Sequence, residues 1–129
     1  MFEMGGFNPI DCSTGSLGQG LPIATGMAMA DRSKNVYCMV SDGEMAEGSI
    51  SEAMKIRQLE QLRNMRIYVN NNGWAAYREV GFVILEYAPE DVQVWHTDVK
   101  DFPFLKGQDA HYVIMSKDQY EEAMRLLSD

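Results

Sequence analysis

Two apolar, β-rich runs flank one helical segment, and each run ends in residues carrying side-chain oxygens. The first run is Val36-Tyr-Cys-Met-Val-Ser41, followed by Asp42-Gly43-Glu44. The second is Arg66–Asn71, followed by Asn72-Gly73-Trp74. Between them, after Glu47-Gly48, the residues Ile50, Ala53, Met54, Ile56, Leu59 and Leu62 recur at helical spacing. Lys55, Arg57, Gln58, Glu60 and Gln61 fall mostly opposite, so the segment reads as an amphipathic helix. Ser49 or Ser51 is its expected cap. The near-continuous apolar character of 36–41 predicts a strand buried on both faces.

Chain chirality then fixes the geometry. Two strands joined by one helix pair in parallel through a right-handed crossover. Their carboxyl ends share one edge of the sheet, the edge at which open α/β sheets bind ligands. Neighbouring strands lie about 4.8 Å apart, and an intervening strand widens that only to about 10 Å. Asp42 and Asn72 are therefore expected to converge. A carboxylate and an amide oxygen are hard ligands, suited to Mg²⁺ or Ca²⁺. Taken singly, Asp-Gly and Asn-Asn-Asn-Gly also read as ordinary turns; their placement at the ends of two linked strands favours a site.

Upstream lies Ser13-Thr-Gly15-Ser-Leu17-Gly18-Gln-Gly20, a glycine-rich turn feeding a helix expected from Leu17 or Gly18 to Asp31. Pro22 fits near the start of that helix. Gly18, Gly20, Ala24, Gly26 and Ala28 leave little bulk, so this helix can approach a backbone or a ligand closely. A glycine-rich turn before a helix also presents N–H groups to an anion; close packing alone is the alternative. Downstream, 82–87 reads as a further strand, Val92–Thr97 as a less buried one, and Asp118–Leu127 as a terminal helix with Tyr120, Ala123, Met124 and Leu127 on one side.

Composition narrows the classes. The chain has 129 residues, enough for one domain spanning 1–129. A formal charge of −8 argues against a nucleic-acid or anionic-membrane surface. No apolar run approaches the roughly 20 residues needed to span a bilayer. The two cysteines make no disulfide framework, and the expected setting is cytoplasmic.

These motifs together resemble the cofactor-diphosphate-binding, N-terminal domain of transketolase-type thiamine diphosphate enzymes. The resemblance is dense over 13–74. It rests on Ser13–Gly20, on Ser41-Asp42-Gly43-Glu44 with Asn71-Asn72 about thirty residues on, and on Glu47-Gly48 with Glu52-Ala53. A fainter likeness covers Phe102–Leu105, His111 and Tyr120–Ala123. The fold it implies is a three-layer α/β/α domain with a mainly parallel sheet, cut down at its N-terminal side.

The resemblance also implies roles. Asp42 and Asn72 would bind Mg²⁺ by their side chains and Trp74 by its backbone carbonyl, with the metal bridging the two phosphates of thiamine diphosphate. Gly15, Leu17, Gly43, Glu44 and His111 would line the cofactor; His111 reads equally as a surface histidine. Glu47 is the catalytic candidate, facing a partner subunit together with Glu52. Ser41 replaces the usual first glycine of the metal motif. The pyrimidine-binding domain, which carries the catalytic glutamate of such enzymes, has no counterpart in these residues. The expected function is thus a small transketolase-like subunit that works in two-carbon ketol transfer between sugar phosphates. A separate pyrimidine-domain chain would complete it, and a homodimer or larger assembly is expected. The alternative is a non-catalytic binding or assembly module.

Overall fold

The structure, a computed structural model, describes residues 10–75, 78–80, 91–96, 102–105 and 113–128. The element order is helix α1 (Gly20–Ala30), strand β1 (Val36–Ser41), a short 3₁₀ turn (Glu44–Ala46), helix α2 (Gly48–Leu59), strand β2 (Met65–Asn71), strand β3 (Gln93–His96) and helix α3 (Lys117–Leu126). The three strands form one parallel sheet in the order β1-β2-β3. Val36 pairs with Met65 and Ser41 with Asn70, so β1 and β2 end at the same edge. This is the α/β fold with a parallel sheet that the sequence predicts. The expected strand at 82–87 lies outside the described residues.

Alternation along the strands builds the core. Cys38 and Val40 of β1 and Met65, Ile67 and Val69 of β2 point to one face. Leu21, Ala24 and Ala28 of α1 and Ile50 and Ala53 of α2 pack against them. Small residues on α1 permit this close approach. Pro22 lies in the first turn of α1, where backbone N–H groups have no partner within the helix. The other end of α1 is held from outside. The Asn64 amide donates to the carbonyls of Ala28, Asp31 and Lys34 at 3.1, 3.2 and 3.0 Å.

The opposite face corrects one expectation. Strand β1 is not buried on both sides: Tyr37 and Met39 are each 66% exposed. On that face Tyr37 stacks on Tyr68 at 6.5 Å, and Tyr68 meets Trp95 edge-on at 5.8 Å. An aromatic row thus crosses all three strands. Its apolar character explains why β1 reads as fully buried in the sequence.

Two helix starts also differ from the reading. Helix α1 begins at Gly20, because Gly18 takes φ +80 and breaks helical geometry just upstream. Helix α2 has Glu47 as its N-cap residue, with no side-chain cap. Ser49, an expected cap, instead donates its hydroxyl to the carbonyl of Gly18 at 2.8 Å. A tertiary contact has taken the hydroxyl from the local one. Helix α3 starts one residue early at Lys117 and has a reciprocal cap, in which Ser116 and Gln119 each bond the other's backbone N–H.

Candidate functional site

Asp42 follows the last residue of β1, and Asn72 follows the last residue of β2. Parallel pairing continues one step beyond the strand, with the Asp42 N–H bonded to the Asn70 carbonyl at 3.1 Å. Asp42 is 1% exposed. One carboxylate oxygen accepts the N–H of Gly43 at 2.8 Å, and the other accepts that of Gly73 at 2.6 Å. The two loops are thereby joined through the expected residue.

The Asn72 loop has its own internal order. The side-chain oxygen of Asn72 accepts the Trp74 N–H at 2.9 Å, an Asx-type turn. Gly73 takes φ +79, the left-handed region that glycine enters without strain. Trp74 then forms an antiparallel bridge with Glu79. The bonds flanking that bridge run from Ala75 N–H to the Arg78 carbonyl and from Val80 N–H to the Gly73 carbonyl, each 2.8 Å. Neither uses the carbonyl of Trp74. Gly43 is needed for proximity: a Cβ there would sit 2.8 Å from Cβ of Ala75.

The glycine-rich turn reaches this edge through Glu44. Its carboxylate accepts the N–H of Gly18 at 2.8 Å and that of Ser41 at 3.4 Å. Gly18 is clasped from the other side by Ser49, and a Cβ at Gly18 would lie 2.8 Å from Cβ of Glu47. Glu44 and Glu47 are thus both at the turn. Glu47 is half-buried, and Glu52 is exposed. Leu17 is 49% exposed beside Gly18, and Gly15 faces open space. His111 lies outside the described residues. His96, at the end of β3, contacts the Asn71 amide through Nδ1 at 3.0 Å.

Sequence reading missed three connections: Glu44 to Gly18, Ser49 to Gly18, and Asp42 to Gly73. Only the last had a usable signal, the glycine after Asn72. The other two are long-range bonds that no local pattern encodes. Among the described residues, no three His, Cys, Asp or Glu side chains gather as a metal cluster. The candidate donor set contains one carboxylate, one amide oxygen and one backbone carbonyl. Asp42 forms no ion pair among the described residues, and its oxygens keep lone pairs beyond the two N–H bonds. A buried carboxylate of this kind is stabilised by a cation.

Transketolase from Pongo abelii is 47% identical over 60 residues, covering 43% of this chain and 10% of the relative. Transketolase from Mycobacterium leprae is 34% identical over 80 residues, 49% of this chain and 11% of the relative. Ferredoxin fas2 of Rhodococcoides fascians is 40% identical over 72 residues, 52% of this chain and 24% of that protein. The chain thus spans about a tenth of the length of its transketolase relatives. No solved structure gives a significant match. Residues 5–125 match the family described as thiamine pyrophosphate enzyme, C-terminal TPP binding domain. With its Asp-Gly and Asn-Gly loops joined at one sheet edge, the chain belongs to the thiamine pyrophosphate enzymes, as a TPP-binding domain of transketolase-like type.

Proposed function

We propose that this chain holds Mg²⁺ and the diphosphate half of thiamine diphosphate as a small transketolase-like subunit. The observation that carries the reading is the bond from Gly73 N–H to the buried Asp42 carboxylate, which brings Asn72 and Trp74 to the same edge. The donors fit a hard cation. Asp42 supplies charge, Asn72 an amide oxygen, and Trp74 a carbonyl that neither bond flanking its bridge uses. The cofactor, when bound, supplies stabilisation of a carbanion on the transferred two-carbon unit. The chain's own residues bind and orient it. Glu44 fixes the glycine-rich turn against the Asp42 loop, and in this reading Gly15 and Leu17 of that turn line the cofactor. Glu47 stands beside this turn, and in this reading it faces the partner subunit.

In this reading a separate pyrimidine-binding-domain chain completes the pocket, and ketol transfer between sugar phosphates needs both. The exposed aromatic row on β1, β2 and β3 supports assembly into a homodimer or larger complex, since soluble monomers seldom expose wide apolar patches. Calorimetric titration with thiamine diphosphate and Mg²⁺, with and without a candidate partner, tests the reading. Mg²⁺-dependent binding that tightens with the partner is the expected result. Binding indifferent to Mg²⁺ would overturn the metal assignment.

A further inference from the structure

A polar cavity of about 420 Å³ opens at the edge of the sheet opposite Asp42. Arg57, Gln58, Gln61, Arg63, Arg66 and Asp91 line it. The edge is set by β2, which begins at Met65 and ends at Asn71. A seven-residue strand is about 20 Å long, so this cavity is well separated from Asp42.

The local fold brings three guanidinium groups together. Arg57 lies in the last turn of α2, Arg63 in the turn that follows, and Arg66 is the second residue of β2. The turn is tight because Gln61 takes φ +50, the only non-glycine among the described residues in the left-handed region. Such strain in a residue other than glycine persists only where the surroundings hold it. Arg66 Nη1 donates to the Arg63 carbonyl at 2.6 Å, which ties strand to turn. Arg57 donates through Nη1 to Asp91 at 3.1 Å, and through Nη2 to Asp91 and to the Met65 carbonyl. Its Nε–H is buried without a hydrogen-bond partner among the described residues.

The charges do not balance. Among the described residues, three arginines face one carboxylate, Asp91, on a chain whose formal charge is −8. Glu60, nearby in sequence, is paired with Arg32. Neither Arg63 nor Arg66 forms an ion pair among the described residues, and Arg66 acts on Asp91 only through its charge at longer range. Guanidinium forks match the oxygens of phosphate in geometry and charge, and the amides of Gln58 and Gln61 add neutral donors. We propose that this cavity is an oxyanion site that binds a phosphate group through Arg63 and Arg66, with half-buried Arg57 as its floor.

The test is titration of the ¹⁵N-labelled chain with inorganic phosphate at constant ionic strength, chloride being the control. Saturable shifts are expected at the backbone amides of Gln61, Arg63 and Arg66 and at the Arg57 Nε–H. The double variant Arg63→Gln/Arg66→Gln should raise the apparent dissociation constant at least tenfold while the spectrum of α1 and β1 is kept. Arg63→Gln alone, whose side chain has no bonded partner among the described residues, carries the same test if the double variant does not fold. Shifts that chloride reproduces, shifts that never saturate, or an unchanged constant in the variants would overturn the proposal.

Discussion

Asp42 and Gly73 are 31 positions apart in sequence and 2.6 Å apart in space, carboxylate oxygen to backbone nitrogen. Register makes this possible. Ser41 pairs with Asn70 in the parallel ladder, so the residues just beyond both strands meet. The carboxylate does structural work as well as offering a ligand, because it closes one loop on the other. Substitution at Asp42 therefore has two expected effects.

Asp42→Ala should lose Mg²⁺-dependent cofactor binding and also destabilise the fold by about 1–3 kcal/mol, since two N–H groups at a buried site lose their acceptor. Thermal denaturation gives the second effect and calorimetry the first. A variant as stable as the parent would contradict the structural role. A variant that binds the cofactor as tightly would contradict the ligand role.

Gly18→Ala should destabilise by about 1–3 kcal/mol. The backbone there has φ +80, and a Cβ would lie 2.3 Å from the Ser49 hydroxyl oxygen. Gly15→Ala is the internal control, because no atom lies within 4 Å of a Cβ at that position. Its effect should stay within about 0.5 kcal/mol. Urea unfolding of both variants decides whether the glycine-rich turn is held as described.

The two thiols should differ sharply in reactivity. Cys12 is exposed, whereas Cys38 is buried. Burial first, then the charge of Glu44 and the neighbouring Cys12, pushes the Cys38 thiol up to about 11. Thiolate is the reactive form, so Cys38 stays protonated and inert at pH 8. A thiol reagent at that pH should modify Cys12 alone in the folded chain and both cysteines in denaturant. Equal rates for the two thiols in the folded chain would refute this.

Acid should weaken the ion pair between Arg57 of α2 and Asp91, two residues before β3. Hydrogen bonding to Arg57, followed by the charge of that arginine, holds the Asp91 carboxyl below its ordinary value of 3.8. A depressed folded pKa means that the unfolded chain takes up the proton first as pH falls. The stabilising contribution is present above 3.8 and is lost as pH drops through the lower folded value. The stability gap between the parent and Asp91→Asn, from urea midpoints, should therefore narrow between pH 5 and pH 2.5. A gap that is constant with pH would show that the ion pair contributes nothing.

Local pattern alone determined the β-α-β unit, its edge and the pair Asp42 and Asn72. Period-two and helical spacing survive as local signals, and parallel pairing through one helix follows from chirality. The role of Gly18 was visible only as a glycine in a glycine-rich stretch. That it needs φ +80, with Ser49 and Glu44 on either side, emerged from contacts between residues 26 and 31 positions apart. Tertiary structure also decided the fate of β1. Tyr37 and Met39 are as apolar as core residues, so composition could not tell a covered face from an open one. Which face α1 and α2 cover depends on how the helices pack, and helix packing is a property of the assembled chain. The same holds for Arg57, Arg63 and Arg66. Arg57 reads as part of the polar side of a helix and Arg66 as the start of a strand, until the strained turn at Gln61 gathers them with Arg63 around one cavity.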